Sequence, residues 1–132
     1  MVVPPVMLIQ VEDAMDVMIA RNTARRAASL LGFASASRAQ IATAVAALVD
    51  IIVGVGTSQI VHMHGIRNGM EIGIQVSCEA PWLASASPDD ALLALHTKLG
   101  DTVDELKLEP GPPPRIILIL WLSPERTAQH GT

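Results

Sequence analysis

The dipeptide Asn68-Gly69 separates residues 59–67 from residues 70–79, two stretches whose composition is typical of β-strands. Asn-Gly is a strong signal for a two-residue hairpin turn, because both residues tolerate the positive φ angles that such a turn needs. In the second stretch polar residues and glycine alternate with an apolar set, Ile72, Ile74, Val76 and Cys78. The sequence therefore predicts an antiparallel strand pair with one face buried under helices.

Helical spacing dominates the chain before this hairpin. Apolar residues recur every three or four positions from residue 13 to residue 31, with Asp13 as a candidate N-cap and Gly32 as a candidate helix stop. A second helix begins at Ser35 or Ser37 and is apolar nearly all round, so we expect it to be buried on several sides. A short aliphatic run over residues 6–11 predicts a strand ahead of both helices.

The C-terminal third continues with a helix and two strands. Ser87-Pro88-Asp89-Asp90 is typical of a helix start, with an N-cap, a proline at the first helical position and acids in the first turn. Residues 106–108 and 116–122 predict the last two strands, the second apolar on both faces. The order β-α-α-β-β-α-β-β predicts one α/β domain over residues 1–122, a two-layer sandwich of a mixed sheet with helices on one face, and a flexible tail over 123–132.

Composition narrows the functional classes. The chain has 132 residues, 50% of them hydrophobic and only 17% charged, which suits one folded domain and excludes a disordered chain. Its net charge of −4 and its 2% of aromatic residues argue against a nucleic-acid partner. The single Cys78 excludes an internal disulfide and a multi-cysteine zinc site, and no apolar run is long enough for a membrane span. We expect a cytoplasmic protein.

Isolated polar residues suggest little chemistry. His62 and His64 lie two apart on one strand and would hold a metal only with Glu71 or Glu79 as a third ligand, so a solvated sheet face is the commoner interpretation. The glycines of residues 54–58 follow a helix instead of preceding one, which is the reverse of a phosphate-binding loop. Cys78 is expected to be a buried, inert thiol, and Asp50, the only charge inside the second helix after its first turns, is expected at a solvent edge.

Several strings, taken in order, resemble a known family. They are Val17-Met18-Ile19-Ala20-Arg21, Leu30-Leu31-Gly32-Phe33, Arg38-Ala39-Gln40-Ile41-Ala42-Thr43-Ala44, Val103-Asp104-Glu105-Leu106 and Ile119-Leu120-Trp121-Leu122. Together they resemble the bacterial partner-switching serine/threonine kinases and anti-sigma factors of the histidine-kinase-like ATPase superfamily, above all the short switch kinases of the stress response. The resemblance implies the histidine-kinase-like ATPase fold.

The departures from this family concern its nucleotide site. Where the family has a Glu and, four residues on, a magnesium-binding Asn, this chain has Ala47 and Ile51. The family's Asp-x-Gly-x-Gly box is replaced by Cys78-Glu79-Ala80-Pro81-Trp82, and the segment aligned with its glycine-rich lid has no glycine. The resemblance thus implies no catalytic residue, metal or cofactor, and a vestigial pocket at Ala47, Asp50, Ile51, Cys78, Ala80 and Trp82.

The resemblance leads us to expect a non-catalytic regulator that binds a protein partner, an antagonist-type (STAS) domain or a sigma factor. The partner surface implied by the family consists of Arg21, Arg25, Arg26 and Trp82, although exposed arginines are often only solvated. One alternative is a divergent ATP- and Mg-dependent anti-sigma-factor serine/threonine kinase in which Asp50 or Glu79 replaces the lost groups. Another is a homodimer formed through the sheet around residues 116–122.

Overall fold

The computed structural model describes residues 2–85 and 87–122, and in these ranges the chain forms a five-stranded sheet with three α-helices on one face. One-turn 3-10 helices occupy Pro81–Leu83 and Gly100–Thr102. The predicted order of elements is confirmed, and the predicted tail over 123–132 lies outside the described residues. The elements are β1 (Val2–Val11), α1 (Asp16–Leu30), α2 (Ser35–Gly54), β2 (Gln59–Asn68), β3 (Glu71–Glu79), α3 (Pro88–Leu99), β4 (Glu105–Glu109) and β5 (Arg115–Leu122).

The sheet has the strand order β1-β2-β3-β5-β4, and every one of these pairings is antiparallel. The prediction of a mixed sheet is wrong, because the sheet is antiparallel throughout. Between β1 and β2 the chain passes through two helices, so it returns to the end of the sheet at which β1 finished, and Val11 pairs with Gln59. After α3, strand β4 runs in the direction of β3, but β5 inserts between them and is antiparallel to both.

The hairpin turn lies one residue later than predicted. Asn68 pairs with Glu71, so Gly69 and Met70 are the two turn residues. Gly69 has φ +65° and occupies the first central position, which is where a type II′ turn requires glycine. The faces of β3 are nevertheless as predicted, because Val76 and Cys78 are buried in the core below the helices.

The predicted start of α1 is wrong by three residues, whereas its predicted end is confirmed. The helix begins at Asp16 instead of Asp13, and the Asp16 carboxylate accepts hydrogen bonds from the backbone N–H groups of Glu12 (2.8 Å) and Asp13 (3.1 Å), which lower the pKa of Asp16. At the other end Gly32 has φ +92°, and the N–H of Phe33 donates to the carbonyl of Ala28 (3.0 Å). This left-handed stop is the one that the sequence predicts.

The core lies between the helices and the sheet. Four alanines of α1 are fully buried, and their small side chains allow α1 to pack closely on α2 and the sheet. The expectation that no apolar run reaches membrane-spanning length is corrected, because α2 is long and apolar enough to cross a membrane. Half of that apolar window is buried within the fold, as in a core helix. Its buried residues are Ser37, Ile41, Ala42, Ala44, Val45, Ala46, Leu48, Val49 and Ile52.

Candidate functional site

We call the positions that the resemblance aligns with the family's nucleotide site the aligned nucleotide region. The part of this region that lies on α2 is apolar at Ala47 and Ile51. Ala47 and Ile51 lie one turn apart, are partly buried and pack against the core. Magnesium prefers oxygen ligands in near-octahedral order, and neither side chain supplies one. Asp50, one residue before Ile51, is exposed. The solvent-edge position predicted for Asp50 is thus confirmed.

The sheet side of the same region is closed by the end of β3 and the residues after it. Cys78 and Ala80 are both 0% exposed, and the Ala80 N–H donates to the carbonyl of Pro114 at 2.7 Å. Trp82 follows in the 3-10 turn and packs, partly buried, against the core. Burial raises the pKa of the Cys78 thiol to about 12, so this thiol stays protonated and unreactive in the folded protein.

These positions form part of the packed interior. Leu48, Val76 and Cys78 belong to one hydrophobic cluster, and Ile51 packs against it. A separate cavity between α2 and the sheet, lined by apolar residues that include Ile41 and Val76 but by none of the vestigial pocket positions, has a volume of about 10 Å³. Sites for small molecules measure about 300–1,000 Å³. This cavity is therefore too small for a nucleotide.

The residues considered as replacements for the lost catalytic groups do not meet. Since Cys78 points into the core, its neighbour Glu79 points to the opposite face of the sheet, where it is exposed. Asp50 lies on a helix that covers the other face. The two carboxylates therefore lie on opposite sides of the sheet.

The start of α3 is built as predicted. The Ser87 hydroxyl accepts a hydrogen bond from the Asp90 N–H at 3.2 Å, and a proline opens the helix. Asp89 and Asp90 are exposed in the first turn, where negative charge stabilises the helix dipole. The position of this segment in place of the family's glycine-rich lid stays a prediction of the resemblance.

The arginines of α1 are brought together with a residue that sequence reasoning missed. Arg21, Arg25 and Arg26 are exposed on α1, and Arg25 and Arg26 line a groove of about 470 Å³ with Ser35, Arg38 and Ala39 of α2. In the sequence Arg38 belongs to one of the strings that carry the family resemblance, and that resemblance does not place it on the partner surface. A signal was present, because residues 17–49 contain four arginines and no Asp or Glu.

Trp82 lies in the 3-10 turn after β3, at the end of the sheet opposite to the C-terminal end of α1. Helix α1 ends beside Leu122, since a Cβ atom at Gly32 would lie 3.9 Å from Leu122 Cδ2. Trp82 follows Glu79, which pairs with Arg115 at the opposite end of β5. Because a strand rises about 3.4 Å per residue, these two ends are roughly 24 Å apart. The C-terminal end of α1 and Glu79, which precedes the turn of Trp82, thus lie at opposite ends of β5. The single surface of Arg21, Arg25, Arg26 and Trp82 stays a prediction.

The histidine pair lies on the sheet face away from the helices. His62 and His64 are half-buried and pair across the strands with Ser77 and Gln75. Desolvation lowers the pKa of His64, and the neighbouring charge of His62 lowers it further. Among the described residues no group of three or more potential ligands could hold a metal ion, so Glu71 and Glu79 do not complete a site.

Comparison with known proteins supports the fold. No protein-family profile and no curated protein sequence matches the chain. The chain is similar to a solved structure described as the crystal structure of the RsbU and RsbW domains of Rv1364c from Mycobacterium tuberculosis, with a TM-score of 0.59 and 17% sequence identity. The match covers 91% of this chain and 34% of that chain, so this chain spans about a third of its length. The predicted α/β two-layer sandwich is confirmed, and its fold is similar to that of this RsbU and RsbW domain structure.

Proposed function

We propose that this chain is a cytoplasmic regulatory protein of the partner-switching type that acts by binding another protein and not by transferring phosphate from ATP. Two observations support a regulatory role. The sequence resembles partner-switching kinases and anti-sigma factors along most of its length, and the fold is similar to a structure that contains an RsbW domain. The proposed partner is an antagonist-type (STAS) domain or a sigma factor.

The proposal that the chain does not use ATP rests on the apolar packing of four positions in the aligned nucleotide region. Cys78 and Ala80 are completely buried, and Ala47 and Ile51 pack against the same core. Nucleotide entry would require these groups to separate and to expose apolar surface to water. Loss of the adenine-accepting carboxylate alone costs about 1–3 kcal/mol, or one to two powers of ten in affinity.

Calorimetric titration of the purified protein with ATP, with and without Mg²⁺, tests this proposal. We expect no saturable heat at sub-millimolar nucleotide. A saturable isotherm that depends on Mg²⁺ would contradict the proposal and support the divergent kinase instead. The same titration of Ile51→Asn, which places an oxygen ligand at the aligned magnesium position, shows whether one ligand is enough to restore binding.

The partner surface proposed on α1 consists of Arg21, Arg25 and Arg26. Arginine is enriched among residues that dominate binding energy at protein interfaces, and these three are exposed. Purified STAS-domain proteins and sigma factors of the host, added one at a time, provide the test. We expect the Arg25→Glu/Arg26→Glu double variant to lose capture of the partner, whereas Lys98→Glu, at an exposed site on α3, retains it.

Trp82 requires a test of its own because it lies in the 3-10 turn after β3 and not on α1. If it belongs to the interface, Trp82→Ala weakens capture as well, and the partner contacts both this turn and α1. Unchanged capture assigns Trp82 to packing. Retention of every partner by the double arginine variant contradicts the surface assignment on α1.

A further inference from the structure

The groove between α1 and α2 concentrates positive charge on an acidic protein. Three of the five residues that line it are arginines, Arg25, Arg26 and Arg38, while the chain as a whole has a net charge of −4. It lies at the α1–α2 turn, at the opposite end of the sheet from Cys78 and Trp82. The groove is thus a separate feature from the aligned nucleotide region.

None of these arginines has a carboxylate partner among the described residues. The nearest acids in sequence are Asp16 and Asp50, and the 33 residues between them contain none. The three guanidinium groups line one groove and carry the same charge, so they repel one another. A bound anion would relieve that repulsion, which is the electrostatic condition for a binding site.

Arg38 is held in place before any ligand arrives. Its Nη1 donates to the Ser29 hydroxyl (3.2 Å) and its Nη2 to the Ser35 hydroxyl (2.8 Å). A guanidinium has about five N–H donors, so further donors remain for a ligand. Ser35 is also the first residue of α2, and the N-cap residue Ala34 supplies no side-chain hydrogen bond, so the first backbone N–H groups of this 20-residue helix add positive potential.

We propose that this groove binds a phosphate monoester dianion. Such a group carries about two negative charges and three acceptor oxygens, which match three planar guanidinium forks better than the two oxygens of a single carboxylate. The same chemistry is offered by a small phosphate-bearing molecule and by a phosphorylated side chain of a protein. The groove shares Arg25 and Arg26 with the proposed partner surface, but its test does not depend on the proposed function, because the isolated chain is expected to bind the group without any partner.

Nitrogen–proton NMR of the full chain tests the site. Inorganic phosphate, a phosphoserine peptide and the same peptide without phosphate are titrated separately at constant ionic strength set with sodium chloride. We expect saturable shifts of the backbone amides of residues 34–39 with both phosphate-bearing ligands and none with the unmodified peptide. Tighter binding of the peptide than of phosphate assigns a phosphoprotein as the source, and equal binding assigns a small molecule.

Variants that remove positive charges test whether phosphate binds in this groove. Loss of charge-assisted hydrogen bonds in Arg25→Gln/Arg26→Gln is expected to weaken phosphate binding by about tenfold or more. Lys98→Gln, which removes an exposed charge from α3, is expected to leave it unchanged. Arg38→Gln is tested with circular dichroism as a check on folding. Absence of saturable shifts in the unmodified chain, or equal affinity in the double variant, overturns the proposal whether or not a protein partner is found.

Discussion

The ring of Trp121 covers Gly73 on the face of the sheet that lies away from the helices. A Cβ atom added at Gly73 would lie 2.8 Å from Trp121 Cε3 and 2.8 Å from the Leu120 carbonyl oxygen. The ring is held over β3 because its indole N–H donates to the Glu105 carboxylate on β4. A glycine is therefore required at this position, and one side chain ties three neighbouring strands together.

We expect Gly73→Ala to destabilise the fold by about 1–3 kcal/mol, the range for overpacking in a site with a backbone wall. Urea denaturation measures the change in the free energy of unfolding. The matched control is Gly54→Ala at the end of α2, where a Cβ atom meets nothing within 4 Å. It is expected to be neutral or to stabilise by up to about 1 kcal/mol. Equal effects of the two substitutions would contradict the close contact at Gly73.

Truncations on α2 test whether the aligned nucleotide region is packed. Ile52 is 0% exposed, so Ile52→Ala is expected in the upper half of the range of about 2–5 kcal/mol for such substitutions, and the partly buried Ile51→Ala at its lower end. Leu93→Ala on α3 is the control, because Leu93 is 68% exposed and surface changes stay within about 0.5 kcal/mol. A neutral Ile51→Ala would show that this region is open.

The buried thiol of Cys78 is expected to make the fold less stable at high pH. Its thiol has a pKa of about 12 in the folded chain against 9.0 as the ordinary value, so the neutral thiol stabilises the fold fully below pH 9 and this contribution is lost as the pH rises toward 12. The expected slope is about 1.4 kcal/mol per pH unit, or about 2 kcal/mol by about pH 10.5. The chain has no tyrosine to titrate in the same window.

The measurement compares the free energy of unfolding of the unmodified chain and of Cys78→Ala from pH 8 to pH 10.5. We expect the difference between them to shrink as the pH rises. In the same window a disulfide-forming thiol reagent should react with the folded chain only as fast as the chain unfolds. Rapid labelling of the folded chain at neutral pH would refute the burial of this thiol.

The half-buried His64 is expected to make the fold less stable at mildly acidic pH. Burial first, and the charge of His62 second, lower the pKa of His64. Below the ordinary value of 6.5 the unfolded chain therefore takes up a proton more readily than the folded chain, and stability falls as the pH falls. We expect proton NMR to give a pKa for His64 below 6.5, and His62→Gln to raise it. A pKa at or above 6.5 in the unmodified chain would contradict this account.

Much of the fold follows from signals that act over a few residues. Gly32 ends α1, Ser87 caps α3, and alternation in β3 assigns Val76 and Cys78 to the buried face, all as the sequence predicts. Such signals are readable because backbone dihedrals, capping and side-chain alternation depend on near neighbours. The same locality limits them, since Gly69-Met70 instead of Asn68-Gly69 forms the turn once β2 and β3 are in register.

Relationships between distant residues were decided by tertiary packing. The two helices between β1 and β2 return the chain to the same end of the sheet, which makes the pairing antiparallel. The same path places Arg38 beside Arg25, while Trp82 follows β3 at the end of the sheet where Glu79 pairs with Arg115. Sequence pattern determines which face of an element is apolar. Which elements share an end of the sheet depends on how all the apolar faces are buried together, and that is a property of the whole chain.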